Sequence, residues 1–322
     1  MSAAEAIERF DCFGGSCGVI VAGDLPRRDA AEAARGAREQ LLEWHERFSR
    51  FLPGSELSRL NADPRERVPA GPLLVYLAAL ARHAAELTGG LVDATLLGEL
   101  ESSGYAGGLP PALPLGLALG LAAERRPAGP APAPRWRSLH VDHRAGTVTR
   151  PPGVALDSGG LAKGLFADLV AESLCEHESF AVDCGGDLAL GGAAGLLRPV
   201  EVQSPFDRSV LHVFELDRGG VATSGIGRRA WLGADGRPAH HLLDPASGRA
   251  AYTGVVQATA LAPTAALAEI HAKAAVLSGP ERGAAWLRWG GVLVLDDGSH
   301  RLIEARAGTP ESNTGADLAV AA

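Results

Sequence analysis

The sequence predicts an α+β fold with mixed and antiparallel sheets flanked by helices. Apolar strand-length runs and amphipathic helical stretches follow one another without the regular alternation of a doubly wound parallel sheet. Val200–Val202 and Val210–Leu216 alternate in the manner of antiparallel strands, and no internal repeat is present. At 322 residues the chain is long enough to bury a sizeable core. Residues 1–305 are expected to form a single domain with a Gly/Pro-rich insert near residues 104–135, and residues 306–322 a disordered tail.

The elements follow in order. Cys17–Ala22 reads as a strand after a Gly14-Gly15-Ser16 turn. In Asp29–Phe48 the residues Ala30, Ala34, Ala37, Leu41, Trp44 and Phe48 step by four and three, which predicts an amphipathic helix. Phe48–Asn61 is too polar and punctuated to be core. Pro72–Thr88 is a second helix, stopped by Gly89-Gly90. Leu91–Thr95 is a short extended piece carrying Asp93 and Thr95. The proline-rich Pro127–Arg135 is a flexible surface connection. Leu139–Val141 and Thr147–Thr149 suit a hairpin. Val154–Leu156 reads as a strand ending at Asp157, followed by Ser158-Gly159-Gly160 and a helix marked by Leu161, Leu165, Phe166, Leu169, Val170 and Leu174. Further strands are expected at Phe180–Val182, Gly220–Gly225, Val255–Leu261 and Val292–Leu295, with His240–Gly248 as a loop. Thr264 caps a helix to Leu277, closed by Gly279-Pro280, and a shorter helix runs to Trp289.

A net charge of −8 argues against nucleic acid or an anionic membrane as the main partner, since either wants a basic face. Lysine is scarce and arginine plentiful, a pattern of genomic composition bias. Cys12, Cys17, Cys175 and Cys184 form neither a CxxC pair nor a zinc spacing, so they read as reduced, mostly buried thiols. The first residues lack a secretory pattern, and no apolar stretch is long enough to cross a membrane. A cytoplasmic protein without membrane insertion is expected.

The chemistry centres on VALDSGGLAKGL, Val154–Leu165. A strand that breaks through glycines into a helix aims unpaired N–H groups at one point, where the helix dipole favours an anion. Lys163 in the first turn adds a mobile cation, so a phosphate or pyrophosphate is the natural ligand. The spacing is neither GxGxxG nor the GxxxxGK[ST] loop. Other polar clusters stand at predicted strand ends or turns: Ser55/Glu56/Ser58/Arg59/Asn61, Asp93/Thr95, Gly185–Asp187, Thr223/Ser224 and His241/Asp244.

The order of these clusters resembles the FAD:protein FMN transferase family, the ApbE-type flavin transferases. The matching pieces are FSRFLPGSELSRLN, GGLVDAT, ALDSGGLAKG, FAVDCGGDLALGG, GVATSG, HHLLDPASG and APTAALAEIHAKAAVLSGPERG, running from Phe48 to Gly283. The resemblance implies an enzyme that binds FAD and, with magnesium, moves FMN onto a Thr or Ser hydroxyl of an acceptor protein, releasing AMP. By position it implies FAD contacts at Phe51, Leu91, Val92, Asp93, Asp157, Lys163 and Leu243. Gly159 belongs to the same glycine turn, Gly160 matches a residue whose carbonyl helps hold the metal, and Ser224, His241 and Asp244 fall in blocks lining the site. Lys163 and the helix start would hold the phosphates, and His241 or a carboxylate would relay the proton.

Two positions depart from the family. The Asp and Thr that bind its metal are here Glu269 and Lys273. The i, i+4 spacing keeps both on one helix face, but a protonated lysine has no lone pair for magnesium. Either the Lys273 ammonium stands where a metal would, held by Glu269, or the protein binds FAD without transfer. An FAD pyrophosphatase, with water as acceptor, is a further alternative. Gly14 stands where the family usually carries a methionine over the flavin. No self-acceptor is expected, because TGAD at Thr314–Asp317 ends in Asp where a hydroxyl is needed.

Overall fold

Eight strands form one antiparallel sheet in the computed structural model, which describes residues 5–108, 111–122, 124–233 and 235–306. They are β1 (Glu5–Cys12), β2 (Gly15–Ala22), β3 (Ser179–Asp183), β4 (Asp187–Gly191), β5 (Gly219–Gly225), β6 (Val255–Ala262), β7 (Gly291–Leu295) and β8 (His300–Ile303). Each strand pairs with the next in that order, so the sheet meanders despite the long excursions between its strands. The helices are α1 (Ala30–Phe48), α2 (Glu56–Ala62), α3 (Pro72–Leu87), α4 (Leu97–Ser102), α5 (Leu115–Leu121), α6 (Ala162–Glu172) and α7 (Ala265–Arg282). An α+β fold is what the sequence predicts.

Strand alternation sorts the core into two layers. Val19, Val21, Phe180, Val182 and Ala189 face the helices, where they meet Leu41 and Phe48 of α1, Leu77 and Leu80 of α3, and Phe166 of α6. Ile20, Ala181, Leu190 and Val221 face the other way, under the hairpin of Arg198–Gln203 and Val210–Leu216. Helix α7 is a different case. Its alanine-rich sequence has no solvent face, and every residue from Ala268 to Gly279 is buried, Glu269, His271 and Lys273 included.

Local chemistry sets the helix ends. Asp29 accepts the Glu32 N–H at 2.6 Å and starts α1, and Thr264 accepts the Leu267 N–H at 3.2 Å and starts α7. Asp168 of α6 accepts the Ala265 and Ala266 N–H groups at 2.7 and 2.9 Å, so one helix caps another. Gly164 lets these helices touch: a Cβ there would lie 2.7 Å from the Ala265 carbonyl oxygen. That crossing places Lys163 of α6 beside Glu269 and Lys273 of α7.

Several expectations change. Phe48–Asn61 contributes to the core, with Leu57 and Leu60 of α2 fully buried and Ser55 capping the helix through the Ser58 N–H. Leu91–Thr95 is a turn rather than extended, because Asp93 Oδ1 accepts both the N–H and the hydroxyl of Thr95. Val154–Leu156 joins no sheet. The Asn61 side-chain amide takes the place of a neighbouring strand, donating to the Leu156 carbonyl at 2.9 Å and accepting its N–H at 2.8 Å.

The insert is also more structured than a flexible connection. Helix α5 buries Leu115 and Ala118, and the proline-rich stretch is pinned by Ala128 N–H to the Leu277 carbonyl (2.8 Å) and Gly129 N–H to Asp244 (2.9 Å). The hairpin turn falls on Phe13 and Gly14, both with positive φ, as a two-residue hairpin of this twist requires. Edge strands β1 and β8 were not expected, and the helix before Trp289 is a 3-10 turn, Gly283–Trp286. Residues 307–322 of the expected tail, with Thr314–Asp317, lie outside the described residues. No helix among the described residues is long and apolar enough to cross a membrane. The four cysteines are free, three buried and Cys175 exposed.

Candidate active site

A cavity of about 470 Å³ opens beside the crossing of α6 and α7. Chain segments far apart in sequence meet in it: the Phe13-Gly14 hairpin tip, Ser49–Leu52, Leu91–Ala94, Asp157–Lys163, His241–Leu243 and Lys273. Of the residues singled out from sequence, Phe51, Leu91, Val92, Asp93, Asp157, Gly159, Gly160, Lys163, His241, Leu243 and Lys273 all line it.

Three others do not. Glu269 sits just behind the wall, bonded to the lysines. Ser224 is buried within β5, away from the lining. The Asp244 carboxylate is occupied by its own loop, accepting from Gly129 N–H (2.9 Å), Ala246 N–H (3.1 Å) and Ser247 Oγ (2.8 Å). Most of the Ser55–Asn61 cluster likewise serves the scaffold: Glu56 accepts from Arg47 (3.0 Å) and the Gly71 N–H (2.7 Å), while Asn61 braces Leu156.

At one end of the cavity four charged groups interlock. Lys273 Nζ donates to Glu269 Oε1 at 2.8 Å, and Lys163 Nζ lies 3.9 Å from the same oxygen. The Gly164 N–H donates to Glu269 Oε2 at 3.0 Å, and Lys163 also donates to Asp187. Lys163 is therefore a held cation rather than a mobile one. Burial opposes its charge, but Asp187 and Glu269 outweigh burial and hold its pKa above the ordinary value. Burial also disfavours a charged Glu269, yet Lys273 and Lys163 keep its pKa low. Burial and the Glu269 charge push Asp187 up to about 7.

Another part of the lining is aromatic. Phe51 and Tyr105 pack with ring centroids 5.6 Å apart, and the Arg50 guanidinium lies 4.2 and 4.4 Å from their ring centres. Arg50 also donates to the Tyr105 carbonyl (2.8 Å) and pairs with Asp157 at 3.4 Å. Burial raises the Asp157 pKa against the pull of Arg50. Phe13 packs on His45 and Phe166, and Arg229 reaches the Phe13 and Gly14 carbonyls at 3.4 Å. Asp93 Oδ2 and His241 Nδ1 are buried without hydrogen-bond partners. Burial, then the neighbouring Arg229, holds the His241 pKa well below its ordinary value, so its imidazole is neutral.

Arg50, Tyr105, Phe13 and Arg229 are among the lining residues that the sequence did not single out. Arg50 had a signal, lying between Phe48 and Phe51 in a segment already under suspicion. Arg229 had none, as one arginine among many.

The magnesium site implied by the resemblance, on Gly160 and Glu269, is not matched by the residues present. Both Glu269 oxygens already accept hydrogen bonds, and the Lys273 stem lies against Gly160, where a Cβ would be 3.4 Å from Lys273 Cε. Magnesium wants several hard oxygens in octahedral array, and here an ammonium stands among them. Among the described residues no three His, Cys, Asp or Glu side chains are grouped to hold a metal ion.

Comparison with known proteins bears on this arrangement. The chain is 32% identical over 176 residues to a FAD:protein FMN transferase of Treponema pallidum, covering 48% of each chain. It is 31% identical over 150 residues to that of Escherichia coli K12, covering 44% of this chain and 42% of the relative. Each match thus spans about half the length of the curated relative. Its fold is similar to the crystal structure of the ApbE protein from Thermotoga maritima, with a TM-score of 0.76 and 25% identity over 94% of this chain and 97% of that one. It also shares the fold of the flavin transferase ApbE from Vibrio cholerae, with a TM-score of 0.72 and 20% identity over 93% of this chain and 97% of that one. The ApbE family model matches residues 13–295, most of the chain, and the protein belongs to the ApbE family.

Proposed function

We propose that this protein is a flavin transferase that binds FAD and moves FMN onto a Thr or Ser hydroxyl of an acceptor protein, releasing AMP. The observation that carries the reading is one cavity lined both by the cations Lys163 and Lys273 and by the packed aromatic rings of Phe51 and Tyr105. A dinucleotide with linked phosphates needs a cationic region for the diphosphate and flat apolar walls for its rings. The cavity lies within the size range of small-molecule sites.

In this reading the acceptor hydroxyl oxygen bonds to the riboflavin-side phosphorus. The bond from that phosphorus to the bridging oxygen breaks, and AMP leaves with the bridging oxygen. Such a transfer depends on charge neutralisation and positioning. Lys163 and Lys273 supply the charge, and Asp93 Oδ2 offers a ligand N–H a buried acceptor. The neutral His241, with Nδ1 unpartnered, takes the hydroxyl proton.

The test combines the protein, FAD and an acceptor domain bearing a flavinylation threonine, then looks for a flavin-fluorescent band in a denaturing gel and for AMP. Both are expected, and replacing the acceptor threonine by alanine should abolish the band. FAD binding with neither band nor AMP would identify a non-catalytic flavin-binding protein. AMP and FMN released without acceptor would identify a pyrophosphatase.

A further inference from the structure

Lys163 and Lys273 are the only lysines in the chain, against 28 arginines. In a sequence that uses arginine nearly everywhere a cation is needed, both lysines converge from different helices on one buried carboxylate oxygen, Glu269 Oε1, at 3.9 and 2.8 Å. The two residues are not interchangeable chemically. An ammonium is a compact point charge, whereas a guanidinium is a broad planar fork. The space between Gly160 and Glu269 holds the lysine stem closely, with Cε 3.4 Å from where a Gly160 Cβ would stand.

Three of the four oxygens of the surrounding carboxylates, Glu269 and Asp187, are already bonded. Glu269 is 0% exposed, with both oxygens bonded, and Asp187 takes the other ammonium. Of the four oxygens of Glu269 and Asp187 only Asp187 Oδ1 lacks a partner, so a divalent ion here would find few free ligands and would face two fixed positive charges. The Asp157 carboxylate, also on the lining, is paired with Arg50.

We propose that the Lys273 ammonium, seconded by Lys163 and fixed by Glu269 and Asp187, supplies the positive charge that a divalent cation would otherwise bring to the diphosphate, so that FAD binding and flavin transfer by this chain need no metal ion. The inference rests on the FAD reading. It adds no bond-making step: the lysines transfer no proton and neutralise the charge of the diphosphate and of the departing AMP.

The experiment titrates FAD into the full chain by flavin fluorescence, once with excess EDTA and once with millimolar Mg2+. The two dissociation constants are expected to agree within about twofold. Lys273→Met should weaken FAD binding about tenfold or more in both buffers, with no rescue by Mg2+, and a circular-dichroism melt of the variant checks that it is folded at the assay temperature. The paired change Glu269→Asp with Lys273→Thr should make binding respond to Mg2+. If EDTA weakens FAD binding to the unaltered protein about tenfold or more, the metal-free assignment is overturned while the FAD reading stands. If FAD binds in neither buffer, the FAD reading itself falls. An unchanged metal response in the paired variant would remove Glu269 and Lys273 from the cation's place and overturn the assignment as well.

Discussion

Replacing Glu269 by glutamine tests the charge cluster without changing its shape. The residue is 0% exposed and holds Lys273 at 2.8 Å, Lys163 at 3.9 Å and the Gly164 N–H at 3.0 Å. A glutamine can still accept from Gly164, so the loss is confined to one negative charge. It leaves two buried ammonium groups sharing Asp187 alone. Removing one partner from a buried pair costs about 3–5 kcal/mol. In a chain of this size that lowers the melting temperature by about 4–7 °C. Lys273→Met alone should cost a similar amount, because it leaves Glu269 short of a partner. The double variant Glu269→Gln with Lys273→Met should recover much of the loss, giving a coupling of about 2 kcal/mol or more in a double-mutant cycle. Denaturant unfolding of the ligand-free protein measures all four corners. Strictly additive losses, or a Glu269→Gln cost below about 1 kcal/mol, would refute the argument that these charges depend on one another.

Four further outcomes are expected. His240 (pKa lowered to about 3 by burial), His271 (to about 4 by burial) and His241 (well below ordinary) are neutral in the folded chain. Their stability contribution is therefore full above the unfolded value of 6.5 and is lost as pH falls below it, at about 1.4 kcal/mol per pH unit for each histidine, measurable by denaturant unfolding from pH 7 to 5. Gly164→Ala should destabilise the chain by about 1–3 kcal/mol, since the added methyl meets α7 backbone, and a melting curve within a degree of the parent would contradict the close crossing. His241→Ala should lower the transfer rate about a hundredfold while FAD affinity changes little, so kcat rather than KM for FAD carries the loss. Asp244→Ala should release residues 126–130 and speed amide exchange there, with the Gly129 amide affected most; unchanged protection would show that the loop is held by other contacts.

Where the sequence is informative and where it is silent follows from the physics of each segment. Helices α1 and α3 declare themselves through apolar spacing and their start signals, Asp29 and Pro72. Strands β2 to β7 are apolar because both sheet faces are covered. Edge strands β1 and β8 escape because polar residues break up their apolar runs: Glu5, Glu8, Arg9 and Asp11 in one, His300 and Arg301 in the other. Val154–Leu156 misleads in the opposite sense. It has a strand's composition, but its backbone is satisfied by the Asn61 side chain, ninety-five positions from Leu156.

The site divides in the same way. Glycine turns mark Asp157–Lys163 and Leu91–Asp93 locally, whereas the Lys163–Glu269–Lys273 contact exists only once α6 and α7 cross at Gly164. Asp244 looks like a ligand-lining carboxylate in sequence, and only the folded chain shows it fastening the proline-rich stretch.

The most direct test of the whole account is a crystal structure of the protein with FAD. The diphosphate oxygens should lie within hydrogen-bond distance of Lys273 Nζ and Lys163 Nζ, with a ring system against the Phe51–Tyr105 wall. FAD seated outside this cavity, or a diphosphate remote from both lysines, would contradict it.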